Sequence, residues 1–422
     1  MDLTPLGSLQ THQVEANSAR FVEDDKCRNI QRQTKNFLKG MTKLSRDQVN
    51  NWRLSRNHLA QRAPKRDMPL VVSDACGLQA QVLSGAALSL WARVEDITIE
   101  DVEDALWKHW TLVKTWAMRG TLHLLSSYSL STYLAALKTR NDLPGEKISY
   151  RIGPGPEDKK YEITKAEQEQ ITKAIGNALD KHTLTREELA YEIVKRTKLR
   201  PILQSHLLSG FGSLLQQAAH RGSLIFGPSQ GAKVTFTRPD QWLGRQDQPS
   251  SEQALRTLLR QFYSTYGPAT FEDFAHWWGV SAPEAKPLEQ LITGELEQVE
   301  FDHQPSKMLS RDIDEIESIE EAHSVRLVPS WDTYVMFYHP REFFVSQAYR
   351  TRIFRQIQGN APVLLVDGIA AGTWEKTKKK AGIEITVRPF KALSSAQKRT
   401  IEEEGKLLRE FFGTNVQLSF HT

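Results

Sequence analysis

Short helices begin repeatedly along this chain, and their starts share one chemistry. A Ser or Thr precedes an acid or amide by three residues, the capping-box pattern in which each side chain satisfies a backbone N–H of the other residue. The pattern occurs at Ser45 and Gln48, Thr98 and Asp101, Thr185 and Glu188, Thr270 and Asp273, and Ser281 and Glu284. The spacing predicts a mainly helical α+β protein built from many short helices.

Pairs of short strands follow these helices. Residues 112–116 and 121–125 flank the tight connection "AMRG", and residues 224–226 and 234–237 flank "GPSQGAK". Helices followed by a two-stranded wing are typical of a winged helix-turn-helix. The chain is therefore expected to contain tandem winged helix-turn-helix modules.

A third module is predicted where Gly279 separates two helical patterns and residues 325–328 supply strand material. Two segments rich in glycine, proline and polar residues, "RIGPGPEDKK" and "GRQDQPSSE", mark boundaries between modules. The modules are expected at residues 46–155, 165–245 and 250–335.

The two ends of the chain have different patterns. Residues 1–45 are poor in apolar residues, and a basic run without any acid begins at Lys26. If this arm is helical, one basic stripe forms that could lie along phosphates; the alternative is a loosely ordered, solvated arm. From 336 to 422, alternation around glycine turns predicts an antiparallel meander in a small β-rich domain, closed by a helix and the strand in "NVQLSF". The stripe would consist of Arg28, Arg32, Lys35, Lys39 and Lys43.

Composition excludes several classes of protein. The 422 residues are 39% hydrophobic and 25% charged, an ordinary globular balance with a mild basic excess of +4. Cys27 and Cys76 are the only cysteines, so no disulfide framework is expected and a cytoplasmic location is predicted. The sequence has no long apolar run and no HExxH, Walker or GxSxG motif. We expect a monomer without a membrane span, metal or cofactor.

The segment "GLQAQ" places two neutral amides, Gln79 and Gln81, in an apolar context. On a continuous helix the two side chains would point apart, but Gly77 favours a break, and on extended backbone they share a side. Two amides on one side can hold one water. Neutral amides are poor bases, so the reaction would need a good leaving group, as in hydrolysis of an N7-alkylated purine nucleotide. The alternative is a pair of amides that cap helices or bind backbone.

Several blocks of sequence resemble, in order, those of the AlkZ family of bacterial DNA glycosylases, whose other branch is typified by YcaQ. The resemblance covers about residues 46 to 415 and implies winged-helix modules in a C-shaped arrangement around DNA. It also implies a water-activating Gln-x-Gln motif, matched by Gln79 and Gln81, where the YcaQ branch has Gln-x-Asp. A monofunctional glycosylase for bulky or cross-linked N-alkylpurines in double-stranded DNA is expected, located with the nucleoid. The blocks are "LQAQ", "ALSLWARV", "DVEDALW", "LVKTWAMRGTLHLL", "YGPATFEDFAHWWGVS" and "VLLVDGIAAGTW".

Other side chains are weaker candidates for the site. Lys114 and Arg119 on the first strand pair are predicted DNA contacts, although a solvated turn arginine is also consistent with the sequence. His123 is predicted to take part in DNA binding by orienting a group near the cleft; the alternative is a satisfied structural residue. Asp332 in a possible cleft is predicted to pair with a cation or to stabilise positive charge at the sugar; the alternative is an aspartate that caps a helix or a turn. A basic run at a probable hairpin turn, Lys376, Lys378, Lys379 and Lys380, is a predicted phosphate contact.

Other classes of protein remain open at this stage. A non-enzymatic winged-helix regulator would need a polar recognition helix, and neither "EAKPLEQLI" nor "SHLLSGFGSLLQQAAHRG" offers many base-reading side chains. The acidic stretch "RDIDEIESIEEAH" allows a protein–protein scaffold. Trp277 and Trp278 lie within an apolar helical pattern and are predicted to be core residues.

Overall fold

The computed structural model describes residues 40–141, 147–151, 160–197, 207–208, 213–355 and 359–421. Most of the predicted basic stripe lies outside these residues. Lys43 is described, and it lies in a strand rather than a helix, so a helical stripe does not extend to this residue. This strand, β1 (Thr42–Leu44), pairs in parallel with residues 299–301.

All five predicted helix starts are confirmed. In each, the acid or amide side chain accepts a hydrogen bond of 2.8–2.9 Å from the backbone N–H of the residue that caps the helix. Such a contact satisfies an N–H group that the helix itself leaves without a partner. Local capping chemistry therefore sets where these helices begin.

The first segment contains a three-stranded antiparallel sheet packed against helices, in the order helix, strand, two helices, two strands. The predicted strand pair around "AMRG" is confirmed as β3 and β4, and β2 joins it in the strand order β2-β4-β3. The elements are α1 (Arg46–Arg56), α2 (Met68–Asp74), β2 (Leu78–Gln79), α3 (Leu83–Trp91), α4 (Ile99–Trp107), β3 (Leu112–Trp116), β4 (Leu122–Ser126) and α5 (Leu130–Asn141).

The second segment repeats this order of elements. Its predicted strand pair is confirmed, and the sheet has the equivalent strand order β7-β9-β8. The elements are β5 (Lys147–Arg151), β6 (Lys160–Thr164), α6 (Lys165–Ala178), β7 (Leu184–Thr185), α7 (Arg186–Arg196), α8 (Ser213–His220), β8 (Ile225–Gln230), β9 (Lys233–Thr237) and α9 (Pro239–Leu243).

The third segment has the same order, with its first strand reduced to a single bridge between Ala269 and Lys307. Gly279 ends α11 in the left-handed conformation, as its position between two helical patterns predicts. Trp277 and Trp278 are buried, which confirms their assignment to the core. The elements are α10 (Ser251–Tyr266), α11 (Phe271–Trp278), α12 (Ala282–Glu289), β10 (Leu296–Phe301), β11 (Gln304–Leu309) and α13 (Ile313–Glu317).

The remaining chain forms a five-stranded sheet, β12-β15-β16-β17-β18, with the predicted antiparallel meander at β15, β16 and β17. The prediction that residues 325–328 belong to the third module is wrong, because β12 pairs with β15 in this sheet. The elements are β12 (Val325–Val328), α14 (Thr333–Phe337), α15 (Arg341–Phe344), α16 (Arg350–Ile353), β13 (Phe354–Arg355), β14 (Gly359–Asn360), β15 (Val363–Val366), β16 (Ile369–Lys379), β17 (Gly382–Pro389), α17 (Ser395–Phe412) and β18 (Val416–Phe420).

The five-stranded sheet and the first segment share one hydrophobic core, which includes residues from 54–124 and from 325–416. An ion pair lies inside this region. Arg93 binds both carboxylate oxygens of Asp332 at 2.7 and 2.8 Å, and neither side chain has any exposed surface. Asp332 also accepts from Ser89 Oγ at 2.8 Å and from the backbone N–H of Tyr334 at 3.0 Å. Asp332 thus caps α14, and its predicted role in an open cleft is wrong.

Removing one partner of this pair should be costly, because it leaves an uncompensated charge in the core. We expect Asp332→Ala to lower the free energy of unfolding by about 3–5 kcal/mol. Glu342→Ala is the matched control, since Glu342 forms a partly exposed pair with Arg350 at 2.7 Å and should cost less than about 1 kcal/mol. Urea unfolding followed by circular dichroism measures both; equal losses would contradict a special role for the buried pair.

Candidate active site

The Gln-x-Gln segment lies between two helices, with Gln79 in the short strand β2 and Gln81 in the bend before α3. Helix α2 ends at Asp74, and Cys76 (φ 58°) and Gly77 (φ 83°) turn the chain into β2. At Gly77 an added Cβ would lie 2.9 Å from Leu125 Cδ2, so both the conformation and the space favour glycine. The predicted break in the helix is confirmed.

The two glutamines have different environments. Gln79 is 6% exposed, whereas Gln81 is exposed just before α3 begins. Both carboxamide oxygens face the turn between β3 and β4. Gln79 Oε1 accepts from Arg119 Nη2 at 2.8 Å, and Gln81 Oε1 lies 3.5 Å from the backbone N of Leu122, a weak contact. The pair therefore has one fixed amide and one amide open to solvent.

Arg119 occupies the turn between β3 and β4 with a left-handed backbone (φ 54°). Its Nη1 donates to the backbone carbonyl of Trp277 at 2.9 Å, and its guanidinium lies 4.6 Å from the centre of the Phe337 ring. The side chain is therefore directed into a junction of protein segments. Arg119 is therefore not a merely solvated turn arginine, and its contact with DNA stays a prediction.

His123 lies directly across the sheet from Gln79 and is 1% exposed. Its Nε2 lies 3.3 Å from Arg119 Nη2, and its Nδ1 lies 3.0 Å from the carbonyl oxygen of Thr121. A guanidinium can only donate and a carbonyl can only accept, so the ring is neutral with its proton on Nδ1. Burial, followed by the charge of Arg119, lowers the pKa of His123 to about 3. His123 is therefore a buried partner of Arg119, and its role in the cleft and in DNA binding stays a prediction.

The predicted lysine contacts fall into different environments. Lys114 is half-buried, its ammonium lies 5.0 Å from the centre of the Phe226 ring, and burial lowers its pKa. Lys376 lies 4.8 Å from the centre of the Phe412 ring, and burial also lowers its pKa. Lys379 pairs with Glu384 at 3.1 Å. Lys378 and Lys380 are exposed at the end of the hairpin.

Sequence reasoning missed three contributors to the site. Arg93 holds Asp332, and the carbonyl of Trp277 and the ring of Phe337 hold Arg119. For Arg93 the sequence held a signal, because an arginine in the apolar stretch "ALSLWARV" needs an anionic partner if it is buried. For the other two the contacts are between residues more than 150 positions apart in the chain, and no local pattern reports them.

Neither a metal cluster nor a membrane helix is found in the described part of the chain. Within those residues no group of three or more His, Cys, Asp or Glu side chains is arranged to hold an ion. The helices described there are all too short or too polar to cross a bilayer.

The chain matches the family described as DNA glycosylase AlkZ-like over residues 72–411. Because this match covers most of the sequence, the protein belongs to the AlkZ-like family of DNA glycosylases, as the ordered sequence blocks predict. Hydrolysis of an N-glycosidic bond is therefore its class of reaction.

A curated relative and a solved structure that resemble this chain both come from Streptomyces sahachiroi. An interstrand DNA cross-link repair glycosylase is 29% identical over 368 residues, covering 86% of this chain and 95% of the relative. The solved structure of the DNA glycosylase AlkZ has a TM-score of 0.75 and 28% identity, covering 90% of this chain and 100% of that chain. The mixed fold with several small sheets is thus similar to a known glycosylase fold.

The neutral state of His123 should make stability depend on pH. Between pH 6.5 and about 3 the unfolded chain binds a proton at His123 that the folded protein does not bind, so stability falls as pH falls. We expect this one residue to remove about 2 kcal/mol between pH 7 and pH 5. Urea unfolding of the wild type and of His123→Gln, measured across this range, isolates the effect. Parallel stability curves for the two proteins would show that His123 does not titrate this way.

Proposed function

We propose that this protein excises N-alkylated purines from double-stranded DNA, with Gln79 and Gln81 positioning the attacking water. The observation that carries the proposal is the placement of both carboxamides beside one turn, outside any helix, in a DNA glycosylase of this family. One amide is held by Arg119 and the other is open to solvent, so a substrate could reach the pair from the side of Gln81.

The chemistry fits amides rather than a strong base. An N7-alkylated purine carries positive charge and leaves as a neutral base, so the leaving group needs no acid and the water needs little deprotonation. The oxygen of an amide can also stabilise the positive charge that develops on the sugar. His123 stays neutral at ordinary pH and adds no charge to the site.

We further propose that three winged helix-turn-helix modules and a C-terminal β-rich domain surround the duplex in a C-shaped arrangement. The recurring order helix, strand, two helices, two strands supports this interpretation, with the equivalent strand order in the first two sheets and a single bridge in place of the first strand in the third segment. The modules correspond to residues 46–155, 165–245 and 250–335, preceded by a basic arm at 1–45. The last domain, predicted at 336–422, also includes β12, which begins at Val325.

The charge of the first module favours an enzyme over a sequence-reading regulator. Helix α4, the second of the two helices between β2 and β3, would occupy the base-reading position of a helix-turn-helix. This helix carries four acids, and such a surface is repelled by phosphates rather than attracted to them. The acids are Glu100, Asp101, Glu103 and Asp104.

We propose that the substrates include interstrand cross-links, since the Streptomyces sahachiroi relative is named for their repair. A cross-linked base is tied to the opposite strand and is not easily extruded, so the amides would have to reach the lesion in the groove. We propose that the enzyme acts as a monomer in the cytoplasm, near the nucleoid, without a metal or cofactor.

Replacing both glutamines tests the catalytic assignment. We expect Gln79→Ala with Gln81→Ala to reduce base release from duplex DNA containing N7-methylguanine at least 100-fold, because the water loses both of its amide partners. Alkaline cleavage at the resulting abasic sites measures the reaction, and a filter-binding or polarisation assay measures affinity. Binding should change less than threefold.

A matched control is Gln397→Ala, which removes a glutamine that caps α17 away from this segment. It should leave base release unchanged. Full base release by the double glutamine variant would refute the assignment of Gln79 and Gln81. Sequence-selective binding without any base release by the wild type would instead favour a regulator.

The exposed hairpin lysines should contribute to DNA affinity through charge alone. We expect Lys378→Ala with Lys380→Ala to weaken DNA binding and to reduce the slope of log K against log salt by about 1–2, since each lost phosphate contact reduces it by about 1. Lys398→Ala, an exposed lysine on α17, serves as the comparison. An unchanged slope in the double variant would show that this hairpin lies away from the phosphates.

A further inference from the structure

Residues from four elements, β2, β4, α11 and α14, lie around the guanidinium of Arg119. It donates to Gln79 Oε1 from β2, lies beside His123 Nε2 from β4, and donates to the carbonyl of Trp277 at the end of α11. The ring of Phe337, at the end of α14, lies 4.6 Å from the guanidinium. One side chain thus connects the Gln-x-Gln segment to distant elements of the fold.

The contact fixes the orientation of the Gln79 amide. A carboxamide can rotate by half a turn and exchange its donor and acceptor ends. A guanidinium has donors only, so it requires the oxygen of Gln79 to face it, at the observed 2.8 Å. The Nε2 of Gln79 is consequently directed away from Arg119. A charged donor also draws electron density from the carbonyl, which makes the opposite N–H a better donor and the oxygen a poorer acceptor.

We propose that Arg119 is a positioning residue for base release, acting through Gln79. It holds Gln79 as a hydrogen-bond donor toward the water and leaves the oxygen of Gln81 to accept a hydrogen bond from the water. The two glutamines therefore have different roles. This inference rests on the proposed function, in which both amides hold the attacking water.

The surroundings of Arg119 restrict it to this position. His123 is neutral and accepts through Nε2, so it adds a second partner on the side of the sheet. The backbone is restricted as well, because Gly279 lies against it so closely that a Cβ there would be 2.6 Å from Arg119 Cα. The C-terminal end of α11 thus sets the place from which Arg119 reaches Gln79.

A set of variants in the full-length protein tests the coupling. We expect Arg119→Ala to reduce single-turnover release of N7-methylguanine about 10–100-fold, the size of effect that misplacing a reacting group by about 1 Å produces. Affinity for the same duplex should change less than twofold. Arg119→Lys, which keeps one donor, should recover part of the rate. The decisive measurement is Arg119→Ala in the Gln79→Ala background, where no further loss is expected, because Arg119 acts only through Gln79.

Other outcomes would overturn the proposal. Additive losses in the double variant would mean that Arg119 acts independently of Gln79. A weakened affinity with a smaller salt slope would make Arg119 a phosphate contact. A lowered Tm with an unchanged rate below that temperature would leave Arg119 a purely structural role.

Two glycines provide a second test without altering any side chain at the site. Gly279 and Gly413 both end helices in the left-handed conformation, with φ of 82° and 60°, but only Gly279 lies against Arg119. Both Gly→Ala variants should lower Tm by a few degrees through backbone strain. Only Gly279→Ala should also reduce the single-turnover rate, by at least 5-fold. Equal rates in the two variants would contradict the proposed route through α11.

Failure of this inference can be told apart from failure of the proposed function. If the double glutamine variant retains base release, both the assignment of Gln79 and Gln81 and the proposed role of Arg119 are refuted. If that variant is inactive while Arg119→Ala keeps the wild-type rate, only the role of Arg119 is refuted.

Discussion

The ion pair between Arg93 and Asp332 is the constraint on which the arrangement of the site depends. Arg93 follows α3, the helix that begins just after Gln81, and Asp332 caps α14, which ends with Phe337. The pair therefore fixes the distance between the Gln-x-Gln segment and the ring that supports Arg119. Removing two charges from water costs free energy, and two packed hydrophobic side chains could stabilise the fold equally well. Their bidentate geometry instead specifies one relative position of two elements 239 residues apart.

A short motif does not make this site by itself. Gln79 acquires its orientation from Arg119, forty residues later, and Arg119 acquires its own from Trp277 and Phe337. The helices and strands that carry these residues belong to different segments of the chain. The chemistry of two weak, neutral amides is therefore determined by the packing of the whole molecule, which holds them in place before any substrate binds.

Local signals predicted much of the fold. Capping residues gave the helix starts, and alternation around turns gave two strand pairs and the meander, because these features depend on neighbours within a few residues. Residues 325–328 were assigned to the wrong sheet because strand propensity does not say which strand is the partner. Gln79 and Gln81 could be singled out from their unusual apolar context. Arg119 was placed in the right turn, but its partners could not be predicted, since the carbonyl that it binds lies 158 residues away.

The shared core has a consequence for how the protein is made. Residues of the first segment share their core with residues as far along the chain as Val416, so this core is incomplete until Val416 has left the ribosome. Domains that fold during synthesis bury their apolar surface early, whereas the shared core of this protein is buried late. Contacts between such distant positions also form slowly, because long loops must close first. We therefore expect the helices of the first segment to bind chaperones during synthesis. A prematurely terminated chain would expose the apolar face that packs against the five-stranded sheet.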